Sequence, residues 1–171
     1  GAPVAPIADK LFFSDYKFFL NIGGIANIAV NNNGKYIAFD ITAANLALNK
    51  IAKMKGVEYD HEGNMARAGK LDEMLFSEMN TSFFFAKDYP KSLSGGWVSK
   101  VMIPTLGRHN ISIENKLNTI CEHIAFQINK SIETIRHKEN IAISKNDTML
   151  VTGGGAFNKY LVERIEATVP L

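Results

Sequence analysis

The chain has 171 residues, 46% of them hydrophobic and 21% charged, and its 19 basic and 17 acidic residues give a formal net charge of +2. This length suits one domain, or one lobe of a larger protein, and is long enough to bury a core. The balanced charge argues against binding to nucleic acid or to an anionic membrane, and no apolar run approaches the ~20 residues of a membrane-spanning helix.

The first predicted element is an antiparallel meander of three strands, followed by a helix. Two β-rich runs are joined by a pair of glycines, and an asparagine-rich turn leads to the returning strand. In order these are "KFFLNI" (17–22), Gly23-Gly24, "IANIAV" (25–30), "NNNG" (31–34) and "KYIAFDI" (35–41). A helix is predicted from about Ala43 to Lys55, and Gly56 ends it. Its apolar side is assigned to Leu46, Leu48, Ile51, Ala52 and Met54.

The next segment, residues 60–86, is predicted to form two short helices that break near Gly69. Asp72 is an acidic residue suited to the start of the second helix. The aromatic run "FFF" at 83–85 is expected in the core.

A loop at 88–97 and a short helix come next, and the helix is expected to end near Pro104 because proline lacks an amide N–H. The clearest helix of the sequence is predicted over 112–138. Apolar residues recur there at spacings of three and four, which gives one buried stripe. The stripe consists of Leu117, Ile120, Cys121, Ile124, Ile128, Ser131, Ile132 and Ile135.

The last predicted elements are a buried strand at 148–154 and an amphipathic helix at 156–169. The chain therefore reads β-β-β-α, then helical segments, then β-α. Three antiparallel strands come first, and helices then connect them to a further strand. This order predicts an α/β fold of the ribonuclease H-like type.

Cys121 is the only cysteine, which excludes an internal disulfide and a CxxC metal site. It lies on the apolar stripe, so we interpret it as a core residue rather than a nucleophile. Histidines at metal-ligand spacing are absent, and we expect the four histidines to be solvated or locally hydrogen-bonded. They are His61, His109, His123 and His137.

The stretch "NIGGIANIAV" (21–30) is a candidate phosphate-binding turn. Gly23 and Gly24 have no Cβ, so their backbone can approach a phosphate and donate N–H groups to it. Asn21 and Asn27 add side-chain donors without adding charge. The alternative is a tight hairpin or bulge in which the glycines only satisfy the backbone geometry.

The stretch "MLVTGGGAFN" (149–158) places Gly153, Gly154 and Gly155 between a strand and a helix. Such a turn directs helix N–H groups toward a ligand and offers a flat surface to a base or ribose. The alternative is a plain strand-to-helix turn. The spacing does not match the GxGxxG of a Rossmann fold, and no Walker A loop occurs.

Asp40 is expected to end the third strand, over the rim of the sheet. A carboxylate in that position can hold Mg²⁺ through water or bind a sugar hydroxyl. The alternative is that Asp40 caps the helix after it, and Asn45, a turn later, shares this alternative.

Six motifs, in the same order and over almost the whole chain, resemble the C-terminal half of the anhydro-N-acetylmuramic acid kinase family. Two of them, "NIGGIANI" and "TGGGAFN", are fairly specific together. The motifs are "GAPVAP" (1–6), "NIGGIANI" (21–28), "FDITAAN" (39–45), "YDHEGNMARAGK" (59–70), "YPKSL" (89–93) and "TGGGAFN" (152–158).

The resemblance implies an actin-like ATPase fold, in which two ribonuclease H-like lobes close on ATP. It implies an enzyme of the bacterial cytoplasm that uses ATP and Mg²⁺ to open the 1,6-anhydro ring of anhydro-N-acetylmuramic acid and to phosphorylate O6. The product is N-acetylmuramic acid 6-phosphate, an intermediate of cell-wall recycling. The resemblance also suggests a homodimer. A non-catalytic nucleotide-binding or interaction module of the same fold is the alternative.

The resemblance also assigns site residues by position. The nucleotide-binding set is Asn21, Gly23, Gly24, Asn27, Gly153, Gly154, Gly155 and Asn158. The set near the substrate or Mg²⁺ is Asp40, Asn45, Lys91 and Ser92. The catalytic general base, an aspartate, is expected upstream of Gly1, so no catalytic residue is assigned within the chain.

Two departures from the family pattern concern the substrate loops. "DITAAN" stands where the family often has Asp-Thr-Gly-Pro-Gly-Asn, and Gly95 and Gly96 stand where the family has Arg and Glu of a loop implicated at the sugar. We expect residues 1–171 to form a single partial domain, the C-terminal lobe of a two-lobe kinase. The N-terminal lobe is expected before it and a last strand and helix after it, and the lobe alone is expected to be inactive.

Overall fold

The computed structural model describes residues 16–32, 35–144 and 146–170, so the "GAPVAP" motif and part of the predicted 31–34 turn lie outside the described residues. The strands are β1 (Phe18–Ile22), β2 (Ile25–Asn32), β3 (Lys35–Ala43) and β4 (Met149–Thr152). The helices are α1 (Asn45–Ala52), α2 (Asn64–Ala68), α3 (Glu73–Asn80), α4 (Phe83–Ala86), α5 (Gly95–Trp97), α6 (Ile103–Arg108), α7 (Ile113–Glu139) and α8 (Lys159–Thr168). Short 3₁₀ turns cover Lys53–Lys55, His61–Gly63 and Gly154–Phe157, and a π turn covers Val98–Met102.

The four strands form one sheet in the order β3-β2-β1-β4. β1, β2 and β3 pair antiparallel, which confirms the predicted meander. β4 pairs parallel to β1, and a parallel neighbour requires a crossover connection, which the helices α1 to α7 supply. The chain therefore has an α/β fold, as the sequence pattern predicted.

One face of the sheet belongs to the core. Phe18, Leu20 and Ile22 of β1 are fully buried, whereas Phe19 and Asn21 between them are not. Successive side chains of a strand point to opposite faces, so this alternation separates a buried face from an open one. The long helix α7 packs on the meander through β2 and β3.

The predicted long helix is confirmed as α7, which begins and ends one residue later than predicted. Ser112 caps its start by accepting a hydrogen bond from the N–H of Asn115 at 3.1 Å. Asn140 ends it in the left-handed conformation, with a φ of 51°. Every residue of the predicted apolar stripe is buried, Cys121 included.

The helix predicted from Ala43 to Lys55 is shorter, since α1 ends at Ala52 and continues only as a 3₁₀ turn. Gly56 stops it as predicted, with a φ of 80°. The assignment of Leu46 and Met54 to the apolar side was wrong, because they are 45% and 62% exposed. The buried stripe of a helix recurs every three to four residues, and here it consists of Ala47, Leu48, Ile51 and Ala52.

The segment 60–86 contains three helices rather than the predicted two. The break at Gly69 and the start at Asp72 are confirmed: Asp72 accepts a hydrogen bond from the N–H of Leu75 at 2.8 Å. A second break follows α3, where Ser82 caps α4. Within the aromatic run Phe84 and Phe85 are buried but Phe83 is 76% exposed, because a short helix turns consecutive side chains to different sides.

The expectation that a helix ends near Pro104 was wrong. The helical run from Gly95 continues through the π turn at Val98–Met102 and then through α6, with Pro104 in the first turn of α6. A wide π turn interrupts the regular hydrogen-bond ladder just where proline has no N–H to contribute. Proline is therefore tolerated inside this run.

The last strand and helix are both shorter than predicted. β4 covers Met149–Thr152 and its residues are half-buried or exposed rather than buried. Within the described residues β4 has a strand neighbour on its β1 side only, which explains this exposure. The glycines continue into a 3₁₀ turn, so α8 begins at Lys159 rather than Ala156.

A buried polar network holds β3, α3 and α7 together. His123 is fully buried, and its Nε2 lies 2.9 Å from Thr42 Oγ1 while its Nδ1 lies 2.9 Å from Asn80 Oδ1. Because Asn80 Oδ1 can only accept, Nδ1 carries the proton and Nε2 accepts from Thr42. Gln127 also donates to Asn80 Oδ1, at 2.6 Å. Burial lowers the pKa of His123 to about 3, so this histidine is neutral.

The other histidines make local contacts, as expected. His109 Nε2 lies 2.7 Å from Glu78, His137 lies 3.7 Å from Glu133, and the His61 ring lies against Tyr59. In the part of the chain that the structure describes, no three His, Cys, Asp or Glu side chains are placed to hold a metal ion together. Among the described helices, none is long and apolar enough to cross a membrane.

Candidate functional site

The first glycine turn, Gly23-Gly24, connects β1 to β2 and also anchors the start of α1. The carbonyl of Gly24 accepts hydrogen bonds from the N–H groups of Ala44 and Leu46, at 2.9 and 3.1 Å. The carbonyl of Gly23 accepts from the N–H of Asn45 at 3.1 Å. The carbonyls are thus directed at α1, and within the described residues no hydrogen bond outside the strand ladder uses the N–H of either glycine.

The second glycine turn folds onto the end of β1. Gly153 has a φ of 82°, and a Cβ there would lie 2.5 Å from Asn21 Oδ1 and 2.7 Å from the Ile22 carbonyl. A Cβ on Gly155 would lie 2.2 Å from Ile22 Cγ2. These two positions require glycine because the turn packs directly on β1. Gly154 is different, since the nearest atom to its Cβ position is Asn45 Nδ2 at 3.5 Å.

Asn45 joins the two glycine turns. Its side-chain amide donates to the carbonyl of Ile22 at 3.2 Å, and its own N–H donates to Gly23. The same amide lies beside Gly154. Two motifs about 130 residues apart in the sequence therefore meet at one point, as the nucleotide-site prediction requires.

A cleft of about 360 Å³ opens beside this meeting point, and we call it the glycine-turn cleft. Such a volume falls within the roughly 300–1,000 Å³ of small-molecule sites. Its walls carry Tyr59 and Phe157, whose side chains are 58% and 81% exposed. It is lined by Asn45, Leu48, Asn49, Tyr59, Asp60, Glu62, Gly154, Phe157 and Asn158.

The acidic residues of the cleft are engaged by the protein itself. Asp60 accepts hydrogen bonds from the N–H groups of Met65 and Ala66, each at 2.9 Å, and so holds the start of α2. Glu62 pairs with Lys159 at 2.7 Å, and this hydrogen bond lowers the pKa of Glu62. The cleft therefore offers exposed aromatic surface and neutral polar groups to a ligand.

Asn158 lies in the cleft, but its side chain also caps α8. Asn158 Oδ1 accepts from the N–H of Leu161 at 3.0 Å. A Cβ on Gly63 would lie 2.2 Å from the same Asn158 oxygen, so the absence of a side chain at Gly63 leaves room for this cap. Asn158 Oδ1 is therefore occupied by the helix cap, whereas within the described residues no hydrogen bond uses its side-chain amide nitrogen.

A row of polar side chains crosses the sheet near the first glycine turn. The strand register pairs Asp40 with Asn27, Asn27 with Asn21, and Asn21 with Thr152. Directly paired residues of neighbouring strands place their side chains on the same face. Three predicted site residues are thus brought together, and Thr152 of β4 joins them.

Asp40 lies inside β3 rather than at its end, so that expectation was wrong. β3 continues to Ala43 because its last residues still pair with β2. Asp40 does not cap α1 either; its Oδ2 accepts from Ser92 Oγ at 3.0 Å and from the N–H of Leu93 at 2.8 Å. The N–H of Asp40 in turn donates to the carbonyl of Lys91 at 3.1 Å.

Asp40 and Ser92 are brought together, whereas the ammonium of Lys91 points elsewhere. Lys91 Nζ lies 4.9 Å from the Phe84 ring centroid and 5.9 Å from that of Phe39. Phe39 is buried on the core face of β3, opposite to Asp40. The prediction thus grouped two neighbouring residues whose side chains lie on different sides of the loop.

Gly95 and Gly96 form the start of α5, where Ser94 caps the helix by accepting from the N–H of Trp97 at 3.2 Å. Both glycines are exposed, and a Cβ on Gly95 would meet nothing within 4 Å. No acidic side chain lies in the 92–97 loop. At the positions where the resemblance to the family implies Arg and Glu, the two glycines therefore leave the loop without these side chains.

Sequence reasoning missed Thr152, Tyr59 and Phe157 as site residues. Thr152 and Phe157 flank the glycines, and Tyr59 opens the "YDHEGNMARAGK" motif. Each adjoins a motif already singled out, which is the signal that could have identified it. Their positions on the sheet face or cleft wall follow only from the fold.

Comparisons with known proteins point to one family. The family model described as anhydro-N-acetylmuramic acid kinase matches residues 1–171. Proteins named anhydro-N-acetylmuramic acid kinase from Photobacterium profundum and Aliivibrio fischeri are each 30% identical to the chain, and one from Shewanella baltica is 29% identical. Each comparison covers 99% of this chain.

The chain spans about half the length of these relatives: 47% of the Photobacterium protein and 46% of the other two. The motifs that carry the resemblance in the sequence are thus accompanied by similarity along the whole chain. By its family-model match over all 171 residues, the chain belongs to the anhydro-N-acetylmuramic acid kinase family.

Proposed function

We propose that this chain is the nucleotide-binding lobe of a kinase that phosphorylates O6 of anhydro-N-acetylmuramic acid and opens its 1,6-anhydro ring. The observation that carries the proposal is the meeting of the two glycine turns at Ile22 and Asn45, beside a cleft of ligand size. The names of the relatives supply the substrate class. The product, N-acetylmuramic acid 6-phosphate, and its place in bacterial cell-wall recycling follow from the same proposal, as do a cytoplasmic location and a homodimer.

The residues of the site fit ATP. At Gly23 and Gly154 a Cβ would meet its nearest atom only at 3.6 and 3.5 Å, so neither backbone is tightly packed on that side and phosphate oxygens can approach it. Asn21, Asn27 and Thr152 supply neutral polar groups in one row. Tyr59 and Phe157 offer aromatic surface for an adenine ring.

The site fits Mg²⁺ only if ATP and water supply most of the ligands of the ion. Asp40 Oδ2 is engaged by Ser92 and Leu93, and within the described residues no hydrogen bond engages Oδ1. That single free oxygen can bind the ion directly or through water, which suits the few protein ligands that Mg²⁺ accepts beside phosphates.

The residues of this chain are suited to position the phosphate groups and to stabilise their negative charge, and not to transfer protons. ATP supplies the phosphoryl group, and phosphoryl transfer depends mainly on positioning and on neutralising the developing charge. Backbone N–H groups of the glycine turns and the asparagine amides suit that role. The general base that activates the attacking water is assigned to the other lobe, and closure of the two lobes excludes bulk water.

The proposal is tested by phosphate transfer from Mg-ATP to 1,6-anhydro-N-acetylmuramic acid, with the full-length protein that contains this chain and with the chain alone. We expect turnover by the full-length protein only, because the base and the first phosphate-binding loop are assigned to the other lobe. Turnover by the chain alone would contradict the two-lobe proposal.

The second candidate is a non-catalytic nucleotide-binding module of the same fold. It is favoured by the exposed Gly95 and Gly96, which leave the 92–97 loop without an acid. ATP binding without turnover by the full-length protein would favour this candidate. The double variant Gly95→Arg with Gly96→Glu then tests whether the loop alone accounts for the missing activity.

A further inference from the structure

A second cavity, of about 160 Å³, lies between the edge of β3, the segment after α4 and the C-terminal half of α7. We call it the lysine cavity, after Lys87, Lys91 and Lys130 in its lining. It shares no lining residue with the glycine-turn cleft. Along α7, Lys130 lies roughly 18 Å from Asn118, which bonds to the backbone of Ala66 beside the cleft.

Lys91 is the central group of the lysine cavity. Its side chain is half-buried, and its Nζ lies against the rings of Phe84 and Phe39. Among the described residues it has no carboxylate within 4 Å. In the described part of the chain, six other lysines do form such pairs: Lys17, Lys35, Lys53, Lys55, Lys138 and Lys159.

The acids near the cavity are already neutralised by other partners. Asp88 lines the cavity, but it pairs with Lys138 at 2.8 Å. Glu139 accepts from Tyr89 Oη at 2.9 Å and from Lys35 at 2.6 Å. The cavity therefore keeps the positive charge of its lysines.

The hydroxyl groups of the wall complete a polar lining. Ser131 and Thr134 donate to the backbone carbonyls of Gln127 and Lys130, each at 2.8 Å. Their hydrogens are thus used within α7, and the donors that remain for a ligand are ammonium groups. Burial, together with the charge of Lys130, lowers the pKa of Lys91, and the opposing effect of the Asp88 carboxylate is smaller.

We propose that the lysine cavity binds a small oxyanion, of the size of inorganic phosphate, between Lys91 and Lys130. An oxyanion would form charge-assisted hydrogen bonds with both ammonium groups and relieve their mutual repulsion. The cavity is smaller than the roughly 300–1,000 Å³ of sites for nucleosides or drug-sized ligands. The cavity shares no lining residue with the glycine-turn cleft, and the proposal does not depend on the proposed kinase activity.

The test is a titration with inorganic phosphate, followed by NMR of the chain with ¹³C-dimethylated lysines, which keep their charge. Lys91→Arg and Lys130→Arg assign the two signals. We expect saturable shifts of both signals with phosphate and none with chloride at equal ionic strength. We also expect the pKa of Lys91 to rise when phosphate is bound, since an anion favours the charged form.

Variants separate this site from phosphate bound elsewhere. Lys130→Gln should weaken the phosphate-dependent shift of Lys91 about tenfold, whereas Lys100→Gln should leave it unchanged because Lys100 lies in the π turn and does not line the cavity. A hexose 6-phosphate in place of inorganic phosphate distinguishes a sugar phosphate from the free anion; saturation by either supports the site. Shifts of Lys91 that do not saturate, or that match those of Lys100, would overturn the proposal.

Discussion

At the scale of single residues, the glycines of the two motifs have different tasks. Gly153 and Gly155 are required by packing, because a Cβ at either position would collide with β1. At Gly23 and Gly154 a Cβ would make only ordinary contacts, at 3.6 and 3.5 Å. The sequence shows five glycines alike, and only the structure separates those that build the site from those that are open to a ligand.

This division predicts that two alanine variants differ in how much stability they lose. Gly155→Ala places a Cβ 2.2 Å from Ile22 Cγ2, and such overpacking should cost about 1–3 kcal/mol of unfolding free energy. Gly23→Ala meets its nearest atom at 3.6 Å and should change stability by less than about 0.5 kcal/mol. Urea unfolding followed by Trp97 fluorescence measures both, and equal losses would contradict the assignment.

His123 predicts a specific pH dependence of stability. Its pKa falls from 6.5 to about 3 on burial, so between these values the unfolded chain binds more protons than the folded chain. Its contribution is therefore complete above pH 6.5 and is lost as the pH falls toward 3. In urea unfolding across this range, His123→Gln should flatten the acid side of the stability profile. A variant profile parallel to that of the unmodified chain would contradict this.

At the scale of elements, the sequence predicted the helices and strands whose formation depends on residues close together in the chain. The 3.6-residue period identified α7 and its buried stripe, and β-rich runs separated by glycine and asparagine turns identified the meander. Pro104 was misread because the π turn before it is stabilised by the surrounding fold. The position of Asp40 was misread because pairing with β2 extends β3 to Ala43, and its contact with the Ser92 loop spans 52 residues.

Asp40 is predicted to hold the loop at 91–93 in place. Asp40→Ala removes the acceptor of Ser92 Oγ and of the Leu93 N–H, so about 1–3 kcal/mol of stability should be lost. Amide hydrogen exchange at Leu93 should accelerate with it. Ser92→Ala is the matched control, since it keeps the bond from the Leu93 N–H. Unchanged exchange at Leu93 in Asp40→Ala would show that the loop is held by other contacts.

At the scale of the whole molecule, topology creates the site. β4 returns parallel to β1 after the helices, and this places the second glycine turn on the end of the strand that leads into the first. That both turns face a ligand stays a prediction from the sequence. The sequence could not indicate the polar row or the lysine cavity, because each gathers residues from distant parts of the chain.

The central claim is that the first glycine turn receives the phosphates of ATP in a working kinase. The most direct test is kcat/KM for phosphate transfer from Mg-ATP to 1,6-anhydro-N-acetylmuramic acid by the full-length protein and its Gly23→Asp variant. A carboxylate at Gly23 should repel the phosphates and lower kcat/KM about 100-fold or more. Gly107→Asp, at an exposed helix position with nothing within 4 Å, should keep the activity. Full activity of Gly23→Asp, or no turnover by the unmodified protein, would contradict the account.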